Sequence, residues 1–395
     1  MELLIDGVPL PSDATPLAHH TSKCAGTWVG TWDGWLKTIL IVESVSHDGR
    51  AKVVYAVAKN PGVFERGWFR RDAKVSGATL TVHGEKSKVA FDMSPTGRLR
   101  AVFDDGLSFA VLTRHALDDL RQPNATIEWT GGESTLLVTS LQEPGTSGPL
   151  RLETVLFKPP GNGPFPLAVI NHGSTGTGTD QVAAKKTWVN AWLADVLNEH
   201  GWFVAFPQRR GRGRSDGIYG EGFDPDRSKG YTCDVDRSLA GAERALDDIS
   251  AAVSSLRQRS DIDRTPVLLA GQSRGGILSI AYAGRHARDT LGVVNFVGGW
   301  LGELCSSAAF VNQKLFASGR SFQGLTLWIY GRDDVYYTIE SSRRNFDVYR
   351  RVGGHGRFVE VSIRGKNNGH WAIAFPPLWS ESVATYLTGL KDNRP

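Results

Sequence analysis

Between residues 26 and 115, apolar and polar side chains alternate in short runs. Thr38-Ile39-Leu40-Ile41-Val42, Ala51-Lys52-Val53-Val54-Tyr55-Ala56-Val57, Thr79-Leu80-Thr81-Val82 and Leu107-Ser108-Phe109-Ala110-Val111-Leu112 are the clearest. Turn-forming clusters separate them: His47-Asp48-Gly49-Arg50, Ser94-Pro95-Thr96-Gly97 and Asp104-Asp105-Gly106. A two-residue period broken at such intervals, with no helical stretch between, predicts an antiparallel β domain, as a small barrel or sandwich. Trp28 and Trp32 open this region and Trp35 follows. Even spacing on a strand puts Trp28 and Trp32 on one face. That predicts the hydrophobic plug of a small barrel ahead of a stacking platform for a sugar or aromatic ligand. Residues 1–25 read as an irregular leader and 116–135 as a linker.

From 136 to 395 the pattern changes. Short apolar runs without alternation, such as Phe165-Pro166-Leu167-Ala168-Val169-Ile170, Thr265-Pro266-Val267-Leu268-Leu269-Ala270 and Leu325-Thr326-Leu327-Trp328-Ile329-Tyr330, read as buried strands. Helical periods over 182–199, 238–257 and 336–351 fall among them. This alternation predicts a mostly parallel sheet flanked by helices. Two long stretches interrupt it. One, 217–236, is polar and carries Tyr219, Phe223 and Tyr231; the other, 300–322, begins at Trp300. Loops of such length in a compact domain commonly cover a site.

Composition narrows the class only a little. The 395 residues are 41% apolar and 22% charged, a globular balance with room for two domains. A formal charge of +4, spread along the chain, points to no nucleic acid or membrane partner. The run Arg209-Arg210-Gly211-Arg212-Gly213-Arg214 follows a strand and reads as a buried or ion-paired loop. Cys24, Cys233 and Cys305 form neither a disulfide framework nor a C-x-x-C metal site, and leave one bond possible but not deducible. No basic segment followed by an apolar one opens the chain, and no apolar stretch could span a bilayer. A cytoplasmic location is expected, with secretion after removal of a signal as the alternative. No cofactor or metal is expected, and oligomeric state is unreadable.

The chemistry concentrates in Gly271-Gln272-Ser273-Arg274-Gly275, set between a strand pattern and a helix pattern. G-x-S-x-G in that context marks a turn that lifts a serine above a sheet edge, too tight for side chains at its flanks. A serine hydroxyl needs a base, and the base an orienting acid. Gly331-Arg332-Asp333-Asp334 follows the next strands, with Asp334 the preferred acid and Asp333 the alternative. Of the two histidines beyond it, His355 sits in a turn. His370 hangs on a loop after the last strand pattern and is the expected base. Asn171-His172-Gly173-Ser174 follows an early strand. The amides of Ser174 and Arg274 are the expected oxyanion donors. His172 reads as a buried support. Gly173, Tyr219, Trp300 and Trp371 are expected at the substrate.

With these residues in place, the chain resembles the α/β-hydrolase superfamily, and within it the dienelactone-hydrolase-like and serine carboxylesterase branch. The likeness covers about 135–392 and rests on Asn171-His172-Gly173, Gly271-Gln272-Ser273-Arg274-Gly275, Gly331-Arg332-Asp333-Asp334 and Gly369-His370-Trp371. The segment 203–213 is similar to a strand and loop of that superfamily. The resemblance implies an α/β-hydrolase fold, a Ser–His–Asp triad, an acyl-enzyme and no cofactor. Dienelactone hydrolases carry a cysteine nucleophile; serine here points to ester hydrolysis. The aromatics of 217–236 with Trp300 and Trp371 suggest an apolar or aromatic ester, a small molecule or part of a polymer. A peptidase or amidase on the same fold is the second expectation, and a non-catalytic binding protein the third.

Overall fold

The computed structural model describes residues 2–17, 22–84, 87–104, 106–365 and 368–392. Parts of the expected leader, of the turn at Asp105 and of the loop before His370 lie outside them. Residues 1–133 with 190–195 form one compact unit, and 134–189 with 196–395 another.

In the first unit, β1 (Glu2–Ile5) and β2 (Val8–Pro11) form a hairpin. Eight strands then close an antiparallel barrel: β3 (Gly26–Trp32), β4 (Leu36–Val45), β5 (Arg50–Val57), β6 (Gly67–Ser76), β7 (Thr79–His83), β8 (Lys88–Met93), β9 (Leu99–Phe103) and β10 (Phe109–His115). β10 pairs back onto β3, with Ala110 opposite Trp32, so no edge is left open. Trp28, Trp32, Leu40, Val53, Phe91 and Leu112 fill the interior. The indole N–H of Trp28 donates to Cys24 O (2.9 Å) and that of Trp32 to Tyr55 Oη (2.8 Å). Both tryptophans are core; Trp35 is exposed.

The leader is not irregular. Strands β3 to β5 are apolar on both faces, because Val29, Ile39, Ile41, Val54 and Ala56 point out of the barrel. Ile5, Val8 and Leu10 of the hairpin cover them, with Leu117 and Leu120 of α1 (Leu117–Leu120) and Trp129. The expected linker is therefore structured at α1 and is built into this second layer of core.

The second unit holds an eight-stranded sheet in the order β11-β12-β14-β13-β15-β16-β17-β18. These are β11 (Glu133–Val138), β12 (Arg151–Phe157), β13 (Leu167–Asn171), β14 (Phe203–Pro207), β15 (Val267–Gln272), β16 (Thr290–Phe296), β17 (Leu325–Gly331) and β18 (His355–Val361). From β14 across to β18 every pair is parallel; β12 runs antiparallel to β14. Helices α4 (Val235–Leu256), α5 (Arg274–Arg285), α6 (Ala308–Ala317), α7 (Ile339–Arg351) and α8 (Ser380–Asp392) follow the strands. Ala245, Ile249, Ile277 and Val311 share one buried cluster with Leu167, Val169, Leu269 and Val293 of the sheet.

Two helix expectations are corrected. The stretch 182–199 divides into α2 (Gln181–Ala184) and α3 (Ala191–Glu199). The Gln208 side chain accepts from Trp188 N and donates to Trp188 O, both at 2.9 Å, taking the backbone groups that a continuous helix would use. Asn190 Oδ1 then caps Leu193 N (2.8 Å). The third helix starts at Ile339, after its Thr338 cap, and not at Tyr336, because the amides of Tyr336 and Tyr337 are bound to Asp334.

From β13 the chain steps to β14 on one side and later to β15 on the other. The carboxyl ends of β13 and β15 thus flank a reversal of strand order, where open α/β sheets form their clefts. Gly173 and Ser273 lie there.

Candidate active site

β15 enters a turn at Ser273, whose φ of 56° is unusual for a residue with a side chain. α5 begins at the next residue. A Cβ on Gly271 would stand 2.2 Å from Gly275 O, and one on Gly275 would stand 2.0 Å from Asn171 O. Both flanks must be glycine for the strand and helix to come so close. Ser273 N donates to Phe296 O (3.0 Å), which ties the turn to the neighbouring strand.

Beyond β17, Asp334 accepts from the amides of Tyr336 (2.8 Å) and Tyr337 (3.1 Å) through Oδ1. Its Oδ2 meets His370 Nδ1 at 2.9 Å. That bond is buried and leaves His370 Nε2 for other work. Asn368 Oδ1 receives His370 N (3.1 Å) and fixes the loop. Asp333 is exposed and makes no such contact. His355 opens β18 opposite Leu325, at the far end of the sheet from the Ser273 turn. Of the two acids and two histidines considered from sequence, Asp334 and His370 are the pair brought together.

His172 is fully enclosed. Its Nε2 accepts from Arg209 N (3.0 Å), so the ring proton sits on Nδ1, facing Gly173 O (2.7 Å). Burial, then the nearby Arg209 and Arg212 guanidiniums, hold His172 well below the usual imidazole range. A neutral ring with both nitrogens occupied supports the loop that carries Ser174. Arg274 opens α5, where first-turn amides lack intrahelical acceptors.

A cavity of about 460 Å3 opens over Ser273. Gly173, Ser174, Arg274, His370, Trp300 and Trp371 all line it. Tyr219 does not, contrary to expectation. It is buried behind the wall, where its hydroxyl donates to Glu221 Oε2 (3.0 Å) and meets Tyr231 Oη (2.8 Å). The tyrosine of that loop which reaches the cavity is Tyr231; its hydroxyl accepts from Thr175 N (3.1 Å). Trp300 and Tyr231 lie against the Arg274 guanidinium at 4.3 and 3.7 Å.

Tyr337 was hidden in the sequence by the apparent helix over 336–351. It lines the cavity together with Ser273, and burial pushes its phenol well above the usual range. The phenol therefore stays protonated.

Cys233 and Cys305 are joined by a disulfide with Cα atoms 5.3 Å apart. It staples the two long interruptions, 217–236 and 300–322, together at the cavity wall. Ser307 Oγ donates to Cys233 O beside it. Closing a chain segment of 72 residues confers about 4 kcal/mol in the chain-entropy account. Replacing both cysteines by serine is expected to lower the denaturant midpoint. Urea unfolding followed by tryptophan fluorescence checks this; an unchanged midpoint would mean that the link adds nothing to the folded state.

The fold, the strained serine at a strand–helix turn and the buried Asp334–His370 pair define an α/β-hydrolase. The family model described as serine aminopeptidase, S33, matches residues 184–344. The match supports an α/β-hydrolase superfamily assignment and a serine hydrolase on this fold, without separating esters from peptides. No curated protein matches it. Solved structures similar to it include Est1E from Butyrivibrio proteoclasticus with ferulic acid bound. The likeness is 17% identity over 61% of this chain and 94% of that one, with a TM-score of 0.41. A Pyrococcus furiosus esterase has 14% identity over 68% and 96%, with a TM-score of 0.43. The Pyrococcus horikoshii acylaminoacyl peptidase has 12% identity over 91% and 62%, with a TM-score of 0.46.

Proposed function

We propose that the protein is a carboxylic ester hydrolase working through an acyl-enzyme. The observation that carries this reading is the buried 2.9 Å contact between Asp334 and His370 beside the cavity that holds Ser273. His370 takes the proton of Ser273 as the hydroxyl attacks the ester carbonyl. Asp334 holds the ring in the tautomer that leaves Nε2 as acceptor and stabilises the imidazolium that forms. The amides of Arg274 and Ser174 receive the oxyanion. His370 returns its proton to the leaving alcohol, then activates water to release the acid. No step calls for a cofactor.

The family description favours one other reading, an aminopeptidase. Such an enzyme must hold a substrate ammonium, which calls for a carboxylate in the cavity. Among the described lining residues the carboxylate is Glu303, and its oxygens are taken by Thr338 N (2.6 Å) and Thr338 Oγ1 (2.9 and 3.2 Å). The cationic groups of the wall, Arg212, Lys229 and Arg274, would repel an ammonium. Exposed Leu304, Val335 and Trp371 at the mouth suit an apolar or aromatic portion of the substrate.

Short p-nitrophenyl esters and amino-acid p-nitroanilides, assayed side by side, test the reading. Ester turnover exceeding anilide turnover is expected. The reverse order would move the protein to the peptidases.

No helix among the described residues is long and apolar enough to cross a membrane. A disulfide persists in oxidising surroundings, so the Cys233–Cys305 link favours such a compartment over the cytoplasm expected from sequence.

A further inference from the structure

Three guanidiniums crowd around one carboxylate, and two of them, Arg212 and Arg274, line the cavity. Arg209, Arg212, Arg274 and Glu221 are each nearly inaccessible, at 1 to 4% exposed. Arg209 chelates Glu221 directly, through Nε and through Nη2 at 3.2 Å. Arg274 Nη1 reaches only 3.9 Å from Glu221 Oε2. Arg212 has no carboxylate within salt-bridge distance among the described residues. Its Nη1 donates to Gly173 O (3.2 Å), its plane lies on the Tyr219 ring (5.2 Å), and its Nε is without a hydrogen-bond partner. The nearby acids are already committed: Asp248 to Arg210, and Glu143 to Arg210 and Arg244. Burial pushes the Glu221 carboxyl up, but Arg209, then Arg274 and Arg212, outweigh it and hold it below the usual range. A permanent cation with so little neutralising charge is costly in a low-dielectric wall unless an anion is brought to it.

A second cation belongs to the same cavity. Lys229 lines the cavity with Arg212. Its backbone is fixed there, because Tyr231 N donates to Thr177 O (3.0 Å) and a Cβ on Gly230 would come 2.1 Å from the same oxygen. Leu301, Leu304, Val335, Tyr336 and Trp371 line the cavity as well, and supply an apolar and aromatic surface. Glu303, the carboxylate among the lining residues, is turned onto Thr338.

We propose that Arg212 and Lys229 bind a carboxylate on the substrate, so that the preferred substrates are esters bearing a free carboxylate together with an apolar or aromatic portion. This rests on the ester hydrolase reading and names its substrate class. The guanidinium of Arg212 provides a planar, permanently charged donor suited to a carboxylate, and the Lys229 ammonium a mobile second charge. The oxyanion formed at Ser273 uses the same field only transiently. A standing anion in the ground state is what separates this proposal from transition-state stabilisation alone.

The test compares p-nitrophenyl butyrate with mono-p-nitrophenyl glutarate, which differ by a terminal carboxylate, with the Ser273→Ala protein supplying the background rate. The glutarate ester is expected to have a kcat/KM at least about tenfold higher at low salt, with the advantage shrinking as ionic strength rises. Arg212→Gln and Lys229→Met are each expected to pull the ratio of the two substrates toward unity, whatever they do to the absolute rates. Butyrate turnover with no glutarate preference would overturn the carboxylate site and leave the hydrolase standing. If neither ester is cleaved, the hydrolase reading falls, and binding decides the site alone. Titration with benzoate against neutral benzamide, read by the fluorescence of Trp188, Trp300 and Trp371 at the cavity, should then show benzoate binding that Lys229→Met weakens. Equal or absent responses to the two would overturn the proposal.

Discussion

Replacing Ser273 by alanine is expected to lower ester turnover by roughly 10⁴ to 10⁶ fold while leaving the fold in place. The loss should be that large because the proposed mechanism forms its acyl bond at this oxygen, and water attacking the bound ester directly would have only the oxyanion donors to help it. Stability should change by less than about 1 kcal/mol. Alanine bears the same φ of 56° as serine does, and the side-chain group lost is a single hydroxyl. A release burst of p-nitrophenol, present in the parent and absent in the variant, ties the loss to acylation. His370→Ala should cost a similar factor, and the double variant little more than either, because the two groups act as one unit. A Ser273→Ala protein that retained even a tenth of parental turnover would rule out the serine as nucleophile.

Features set by local sterics were readable from the sequence. Gly271 and Gly275 could be argued from the pentapeptide because the strand–turn–helix geometry excludes Cβ atoms wherever it occurs. The Asp334–His370 pairing was readable because both residues follow strands that end at the same side of a parallel sheet, whereas His355 begins one. The barrel was legible in the two-residue period, but its cover was not. Ile39, Ile41 and Val54 are as apolar as their inward neighbours, which meant that some segment had to bury them. Nothing in the leader's four-residue strands identified it as that segment.

What stayed hidden depends on distant partners. Tyr336 and Tyr337 continue a helical pattern, and only the carboxylate of Asp334, taking their amides, pulls them out of it. Tyr219 and Tyr231 share one polar loop with equal aromatic character. The order in which that loop folds over Arg212 and Arg274 puts Tyr231 into the cavity wall and Tyr219 behind it. Three cysteines permit three single bonds, and the pairing of Cys233 with Cys305 follows from two loops meeting above the sheet. The arginine run at 209–214 could be read as ion-paired, but not which member would be left short of an acid.

That shortage makes Glu221 the residue whose loss should destabilise the catalytic unit most among single substitutions of its polar groups. Glu221→Ala removes the one carboxylate amid Arg209, Arg212 and Arg274, and leaves the buried Arg209 without its partner. Stranding a buried charge costs about 3–5 kcal/mol, to be measured by urea unfolding of the variant. Arg209 also donates to His172 O (2.9 Å) and Gly173 O (3.4 Å), so its displacement should loosen the loop that presents Ser174 and lower kcat as well. Adding Arg209→Met to Glu221→Ala should restore part of the stability, because the pair is costly to break and much less costly to remove whole. The sign of the pH dependence follows from the same contacts. The Glu221 carboxyl is held below its ordinary value of 4.5, so its contribution is fully present above that value and is lost as pH falls through the folded-state value. The parent should therefore lose stability on acidification below about pH 4.5 more steeply than Glu221→Ala, and parallel acid profiles for the two proteins would show that the arginines are neutralised by some other group.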